Sequence, residues 1–129
     1  IKTLHDAGFK TAIITASSID CAKRIERENH IDFIKGNELI IRNGKISGEY
    51  VSTIGAGREK KAMALKKICS ALFIDTKEAV FVGDSEGDIE AFRKAGLSIA
   101  FQPKSELLKE LCDVVIEKDD LREILKYIH

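Results

Sequence analysis

Short apolar runs alternate with segments of helical periodicity along this chain, and this order constrains the fold more than any other feature. The apolar run at residues 79–82 is four residues long, and the five residues 97–101 are apolar except for Ser98. The segments between such runs repeat apolar residues three or four positions apart, as a helix with one buried face does. Strands that alternate with helices form βαβ units around a parallel sheet. The sequence therefore predicts an α/β fold, a Rossmann-like parallel sheet with flanking helices.

An Asn43-Gly44 pair interrupts this alternation between two β-prone runs at residues 39–41 and 45–50. A tight type I′ turn favours Asn-Gly, because both of its central positions need positive φ. The sequence therefore predicts a small β-hairpin, and its length of 129 residues predicts one domain. The other predicted strands are 10–14, 31–34 and 114–116, and the predicted helices are 1–7, 19–28, 58–72, 89–95, 105–111 and 121–128.

Charge balance and run length argue against two classes of partner. The 21 basic residues equal the 21 acidic residues in number, so the chain has no basic excess that would favour nucleic acid. The longest apolar runs are about five residues, against the roughly 20 that cross a bilayer. Three well-separated cysteines in apolar contexts predict buried thiols and a cytoplasmic protein: Cys21, Cys69 and Cys112.

An acidic hexapeptide, Gly-Asp-Ser-Glu-Gly-Asp at residues 83–88, comes directly after the predicted strand 79–82. Ligands of α/β sheets bind beyond the carboxyl ends of the strands. Mg²⁺ prefers hard oxygen ligands, few of them from protein, with water and substrate phosphate completing its shell. Asp84 and Asp88 share one face if a helix begins near Ser85. Helix capping by an aspartate is the alternative, and the hexapeptide alone does not separate the two.

Two more residues have the chemistry of a phosphate site. Thr15 comes directly after the strand 10–14, where its hydroxyl and the next N–H groups can hold phosphate oxygens. Helix capping by Ser17 or Ser18 is the commoner use of such a turn. Lys61 lies in the first turns of a predicted helix and can reach a phosphate as a compact charge. A solvated lysine is the ordinary alternative, and periodicity does not separate Lys61 from Lys60.

Taken together, these segments resemble the haloacid dehalogenase superfamily of hydrolases, and within it the phosphoserine phosphatases. The resemblance runs along the whole chain, through GFKTAII at residues 8–14, the hairpin at 37–48, KAGLSIAF at 94–101 and DLREILKYI at 120–128. It implies a haloacid dehalogenase-like α/β core. The residues that resemble motifs II, III and IV of the family are Thr15, Lys61 and the hexapeptide 83–88.

The resemblance also implies roles for the site residues. The Thr15 hydroxyl and the Ala16 N–H bind the phosphoryl group, and Lys61 neutralises its charge. Lys61 is preferred over Lys60 because it is in phase with the family's K-x-x-x-L-x-x-I pattern. Asp84 resembles the direct Mg²⁺ ligand, and Asp88 resembles its partner, which more often orients metal-bound water or the lysine. The implied cofactor is Mg²⁺ and the implied substrate a small phosphoserine-like metabolite, with no nucleic acid or membrane partner.

This chain departs from the family pattern in two respects. The first motif, D-x-D-x-T/V, with the nucleophile and the general acid/base, is absent from residues 1–129, as is the cap that selects substrate. We therefore expect an N-terminally incomplete chain, either the C-terminal portion of a larger enzyme or the product of a truncated gene, that is inactive alone. The usual Ser-Gly-Gly of motif II is Thr15-Ala16-Ser17, and Gly87 replaces an asparagine that contacts substrate phosphate. These changes predict an altered substrate preference or activity.

The missing first motif has a structural consequence, because its strand separates the motif II and motif IV strands in the family. We expect strands 10–14 and 79–82 to pair directly, or to receive a strand from an N-terminal segment or another chain, since unpaired buried edges are costly. Two other functions stay open. One is a non-catalytic binding or regulatory module. The other is a receiver-like domain with Asp84 as phosphoacceptor, which the Asn-Gly hairpin disfavours.

Overall fold

The computed structural model describes residues 1–42, 45–51 and 58–128. Its internal contacts divide the chain into two compact units, Ile1–Ala56 and Gly57–His129, and each is described by itself. The single domain expected from chain length stays a prediction.

The first unit contains a three-stranded sheet in the order β1-β2-β3. β1 and β2 run parallel and are connected by a helix, whereas β2 and β3 are antiparallel. Gly8 comes after the first helix with a φ of +88°, a backbone conformation that glycine adopts without steric cost. The elements are α1 (Lys2–Asp6), β1 (Ala12–Ser18), α2 (Ile19–Glu28), β2 (Phe33–Arg42) and β3 (Lys45–Val51).

The second unit contains a parallel sheet in the order β4-β5-β6. Three consecutive residues of the middle strand, Ser98, Ile99 and Ala100, are buried, as expected for a parallel strand covered on both faces. The elements are α3 (Arg58–Ala71), β4 (Val80–Gly83), α4 (Ile89–Lys94), β5 (Leu97–Phe101), α5 (Glu106–Leu111) and β6 (Val114–Ile116), with 3₁₀ turns at Thr76–Glu78, Glu86–Asp88 and Leu121–Lys126.

The β1–β2 pair and the β5–β6 pair begin with similar hydrogen-bonding arrangements. In the first unit, the Asp32 carboxylate accepts the Thr11 N–H at 2.8 Å, just before β1 and β2 pair. In the second unit, the Asp113 carboxylate accepts the Ser98 N–H at 2.8 Å and its hydroxyl at 2.9 Å. Each aspartate satisfies a backbone donor at the amino end of the sheet and helps to fix the register of the strands.

The predicted α/β fold is confirmed, and several bounds are reproduced, among them those of α2, β5 and β6. The antiparallel pairing of β2 with β3 agrees with the predicted hairpin, although its turn residues Asn43 and Gly44 lie outside the described residues.

Other local predictions are wrong. The turn expected at residues 15–18 belongs to β1, because Ser18 still pairs with Asn37, although the register shifts between Ile14 and Ser18. The two strands expected at 31–34 and 39–41 form the single strand β2. The final helix is a 3₁₀ segment. Cys21 is exposed, since it lies on the outer face of α2, whereas Cys69 is buried as predicted.

The predicted direct pairing of the two site strands is also not observed. In the described residues, β1 pairs with β2 and β4 pairs with β5, and the two strands belong to separate sheets. Each is thus the edge strand of its own sheet. Addition of a strand from a further segment stays a prediction.

Among the described residues, every helix falls short of the length and apolarity that a bilayer crossing requires.

Candidate functional site

The acidic hexapeptide forms a closed turn at the carboxyl end of β4, organised by the side chain of Asp88. Its Oδ2 accepts the N–H of Asp84 at 3.0 Å and the N–H of Ser85 at 3.2 Å. The Ser85 hydroxyl lies 3.4 Å from the same oxygen. Asp88 is therefore the residue that has the capping role considered for this turn. Its side chain accepts hydrogen bonds from backbone N–H groups between the end of β4 and the start of α4.

The second oxygen of Asp88 holds Lys61. The Lys61 Nζ lies 2.8 Å from Asp88 Oδ1, and the two side chains are only 17% and 3% exposed. Helix α3 brings the lysine to the turn, and Lys60, one position earlier, is exposed. Because a buried charge is costly without its partner, each of these groups requires the other. The structure thus places Lys61 and not Lys60 at the acidic turn.

Glycine at position 83 is required by how closely the turn folds back. A Cβ on Gly83 would lie 2.5 Å from Asp88 Oδ2 and 2.6 Å from its Cγ, distances that real side chains do not tolerate. Gly87 differs, because a Cβ there would meet only the Ser85 hydroxyl, at 3.7 Å. The backbone of the turn therefore depends on Gly83, whereas position 87 has room for a side chain.

Asp84 lies differently from Asp88, with its carboxylate half-exposed. Its Oδ2 is 3.2 Å from the Nζ of Lys104, and its carbonyl oxygen accepts the Lys104 N–H at 2.9 Å. A cleft of about 390 Å³ opens here, lined by Val82, Gly83, Asp84, Phe101, Gln102 and Lys104.

Sequence reasoning missed Gln102 and Lys104. Gln102 adopts a φ of +44°, unusual for a residue other than glycine, and donates its N–H to the Ile116 carbonyl at 2.7 Å. Both residues come just after the carboxyl end of β5, the strand beside β4, so the strand-end rule contained the signal. Neither has the carboxylate or hydroxyl group that distinguishes the ends of β1 and β4.

The donor set of this turn fits Mg²⁺. Asp84 offers a hard carboxylate oxygen next to the cleft, and Mg²⁺ uses only one or two protein carboxylates together with water and phosphate. The Lys104 ammonium already lies there as a cation, in an exposed pair of the kind worth about 0–1 kcal/mol, so a divalent ion can displace it. Asp88 is less available, because its two oxygens hold Lys61 and the turn.

Thr15 and Ala16 belong to the first unit. The Thr15 hydroxyl accepts the N–H of Ser17 at 3.0 Å. The chain of β2 passes close by, since a Cβ on Gly36 would lie 3.1 Å from the Thr15 methyl group. The second unit brings together Lys61, Asp84 and Asp88, whereas the grouping of Thr15 and Ala16 with them stays a prediction.

The chain is similar to known phosphatases over nearly its whole length. The model of the haloacid dehalogenase-like hydrolase family matches residues 20–128. A phosphoserine phosphatase of Methanocaldococcus jannaschii is 38% identical over 128 residues, covering 99% of this chain and 60% of the relative. One of Albidiferax ferrireducens is 36% identical over 124 residues, covering 93% of this chain and 52% of the relative.

Solved structures show the same likeness. A substrate-bound phosphoserine phosphatase matches with a TM-score of 0.92 and 38% identity, covering 99% of this chain and 60% of that one. The structure of a phospho-aspartyl intermediate analogue of phosphoserine phosphatase matches with a TM-score of 0.91 and the same coverage. The chain thus spans 52–60% of the length of these relatives.

Proposed function

Because the chain belongs to the haloacid dehalogenase-like hydrolase family, we propose that it is the metal- and phosphate-binding portion of a phosphomonoester hydrolase. The observation that supports this most is the buried contact between Lys61 and Asp88 beside Asp84, at the carboxyl end of β4. A cation held rigidly next to an acidic turn is suited to a bound phosphate and its metal.

Each residue of the turn has a distinct part in this proposal. Asp84 provides a carboxylate ligand for Mg²⁺, which, when bound, screens the charge between the phosphate and an attacking carboxylate. Asp88 is a positioning residue, because its two oxygens fix the Lys61 ammonium and the backbone of the turn. Lys61 then holds a phosphate oxygen and stabilises the charge of the transferring group.

Thr15 and Ala16 complete the phosphate contacts in the proposed enzyme. The Thr15 hydroxyl, with the N–H of Ala16 as the resemblance implies, would donate hydrogen bonds to phosphate oxygens from within β1, where its register with β2 shifts between Ile14 and Ser18. The Ser17 N–H uses Thr15 Oγ1 as an acceptor, and a hydroxyl that accepts one hydrogen bond can also donate one. Thr15 keeps the hydroxyl of the family's motif II, although Ala16 and Ser17 depart from its usual glycines, and we expect these phosphate contacts to form only in the assembled enzyme.

The nucleophile must come from outside residues 1–129, which contain no D-x-D motif. In the proposed reaction, an aspartate attacks phosphorus in line and the alcohol leaves, and water then hydrolyses the phospho-aspartate. The proposed substrate is a small phosphorylated metabolite of the phosphoserine type. Gly87 provides no side-chain contact to that phosphate, so we expect weaker substrate binding than an asparagine there would give.

A chimera tests this proposal. The part of the Methanocaldococcus jannaschii relative that this chain matches is replaced by the present 129 residues, and hydrolysis of O-phosphoserine is measured with Mg²⁺ and with EDTA. We expect turnover only by the chimera and only with Mg²⁺, and none by the 129-residue chain alone. A folded but inactive chimera would contradict the proposal and favour a non-catalytic binding module. Turnover by the chain alone would contradict the absence of a nucleophile.

A further inference from the structure

Two histidines and an aspartate cluster at the amino end of the β1–β2 pair, before the first residue of β1. The Nε2 of His5 lies 3.3 Å from Asp32 Oδ2, and the Nε2 of His30 lies 3.3 Å from Asp32 Oδ1. The ligand atoms of all three residues lie within 4.8 Å of one another. Two separate segments supply them: His5 is on α1, and His30 and Asp32 lie in the connection that leads into β2.

The carboxylate of this cluster is held in place and ionised. Asp32 Oδ2 accepts the N–H of Thr11 at 2.8 Å. That hydrogen bond, with the nearby Lys10 ammonium, holds the pKa of Asp32 below its usual range. A carboxylate oriented by a backbone donor is typical of metal sites, where such contacts fix the ligand before the ion binds.

The spacing of the donors agrees with a metal shell. Two ligand atoms bound to a tetrahedral zinc ion at about 2.0–2.1 Å lie about 3.3–3.4 Å apart. Each imidazole nitrogen lies 3.3 Å from one oxygen of Asp32, His5 from Oδ2 and His30 from Oδ1, so each nitrogen–oxygen pair has the separation of two ligands on one ion. The rings of His5 and His30 meet edge to face, with centroids 4.8 Å apart, and the Nε2 atom of each lies beside the same carboxylate.

We propose that His5, His30 and Asp32 form a Zn²⁺ site, with two imidazole nitrogens and one carboxylate as ligands and water in the remaining position. Imidazole suits zinc, whereas Mg²⁺ prefers oxygen, so this site differs in metal from the acidic turn. The ion would tie α1 to the segment that leads into β2. Zinc binding here is independent of the proposed phosphatase function.

Thr11 allows His5 to exchange its hydrogen bond for a bond to the metal ion. Its hydroxyl lies 2.8 Å from His5 Nε2, a nitrogen that must offer its lone pair to the metal. The same hydroxyl is 3.4 Å from both the His30 carbonyl oxygen and Asp32 Oδ2, so it keeps an acceptor when His5 binds the ion. His30 is the adaptable ligand, since its side chain is 73% exposed and can rotate without disturbing the core.

Isothermal titration with ZnCl₂, in the presence of excess MgCl₂, tests the site in the full chain. A Cys21→Ser background removes the exposed thiol as a competing ligand. We expect one Zn²⁺ per chain, and binding more than about tenfold weaker in His30→Ala and in His5→Ala, since even indirect partners of a metal commonly change affinity 10–100-fold. The matched control is Lys10→Gln, which removes a cation 3.8 Å from Asp32 but no ligand, and it should bind at least as tightly.

Thermal melting provides a second readout that does not depend on calorimetric heats. Zn²⁺ should raise the Tm of the background protein and of Lys10→Gln, but not that of His30→Ala. Because His30 is exposed, its alanine variant should fold normally without metal. The proposal is overturned if no 1:1 binding occurs, or if His30→Ala and His5→Ala bind zinc as tightly as the background protein.

Discussion

Asp88 is the residue on which the acidic turn depends. It is almost wholly buried, and it satisfies two backbone donors with one oxygen and a lysine with the other. A buried carboxylate with this many partners is stable only while all of them stay in place. Any change that moves Asp88 should therefore loosen both the turn and Lys61.

Replacing Gly83 with alanine tests this dependence. The new Cβ would lie 2.5 Å from Asp88 Oδ2, so the carboxylate must move, and we expect a loss of about 1–3 kcal/mol in the free energy of unfolding. Chemical denaturation measures the loss. Gly87→Ala is the matched control in the same turn, with its Cβ 3.7 Å from the nearest atom, and it should be nearly neutral. Equal effects of the two variants would contradict the close approach at Gly83.

Single residues were predictable where a family pattern added to local chemistry. Periodicity alone left Lys60 and Lys61 equivalent, and the pattern chose Lys61, which the structure places on Asp88. Local chemistry also did not decide between metal binding and helix capping for the acidic turn, because an aspartate at the start of a helix can do either. Lys104 was not predictable, because its contact with Asp84 depends on how the loop after β5 returns to β4.

Helix α3 ends in a Schellman-type turn that places an aromatic residue where glycine is usual. The N–H of Ile74 reaches the Cys69 carbonyl at 3.0 Å and that of Phe73 reaches the Ser70 carbonyl at 3.1 Å. Phe73 has a φ of +57° and is 96% exposed. The side chain thus contributes little burial while its backbone is in a conformation costing roughly 1–2 kcal/mol outside glycine.

Phe73→Gly should therefore stabilise the protein by about 1 kcal/mol, because glycine accepts this φ and the exposed ring is no loss. The shift in the denaturant midpoint measures it. Phe73→Ala separates the two causes, since alanine removes the ring but keeps the backbone cost, and it should stay close to the original protein. If alanine stabilised as much as glycine, the ring and not the backbone would be responsible.

Strands and helices were predictable where buried residues recur at a regular spacing. They were less predictable where backbone hydrogen bonding decides where an element ends. β5 is buried at successive positions, and its apolar run matches the strand. β1 continues beyond its hydrophobic run because Ser18 finds a backbone partner in Asn37, which composition does not reveal. The last segment has helical periodicity but forms 3₁₀ turns, a choice set by hydrogen bonding and not by which residues are apolar.

At the scale of the whole molecule, the strand that contains Thr15 and the strand that precedes Asp84 are both edge strands in the described residues. In the described residues, β1 pairs with β2 and β4 pairs with β5. The outward N–H and C=O groups of such edges usually find a partner in a native protein. The sequence predicted that each strand lacks a neighbour, but whether a further segment supplies it depends on chain outside these residues.

Hydrogen exchange tests whether a further strand completes both sheets. We expect the outward amides of β1 and β4 to exchange rapidly in the 129-residue chain and to become protected in the chimera, because a new strand would accept their N–H groups. The amides of β5, which has a neighbour on both sides, provide the internal control. Identical exchange at β1 and β4 in the two proteins would show that no strand is added.

The effect of Asp84→Asn on Mg²⁺-dependent hydrolysis of O-phosphoserine by the chimera tests the central claim most directly. Asparagine keeps the shape of the side chain but removes the charge that holds the metal. A metal ion contributes several kcal/mol to such a transition state, so we predict a loss of about 100-fold or more in kcat/KM. Lys104 forms an ion pair with Asp84, and the Lys104→Gln variant should retain activity. Unchanged turnover in a folded Asp84→Asn chimera would contradict the account.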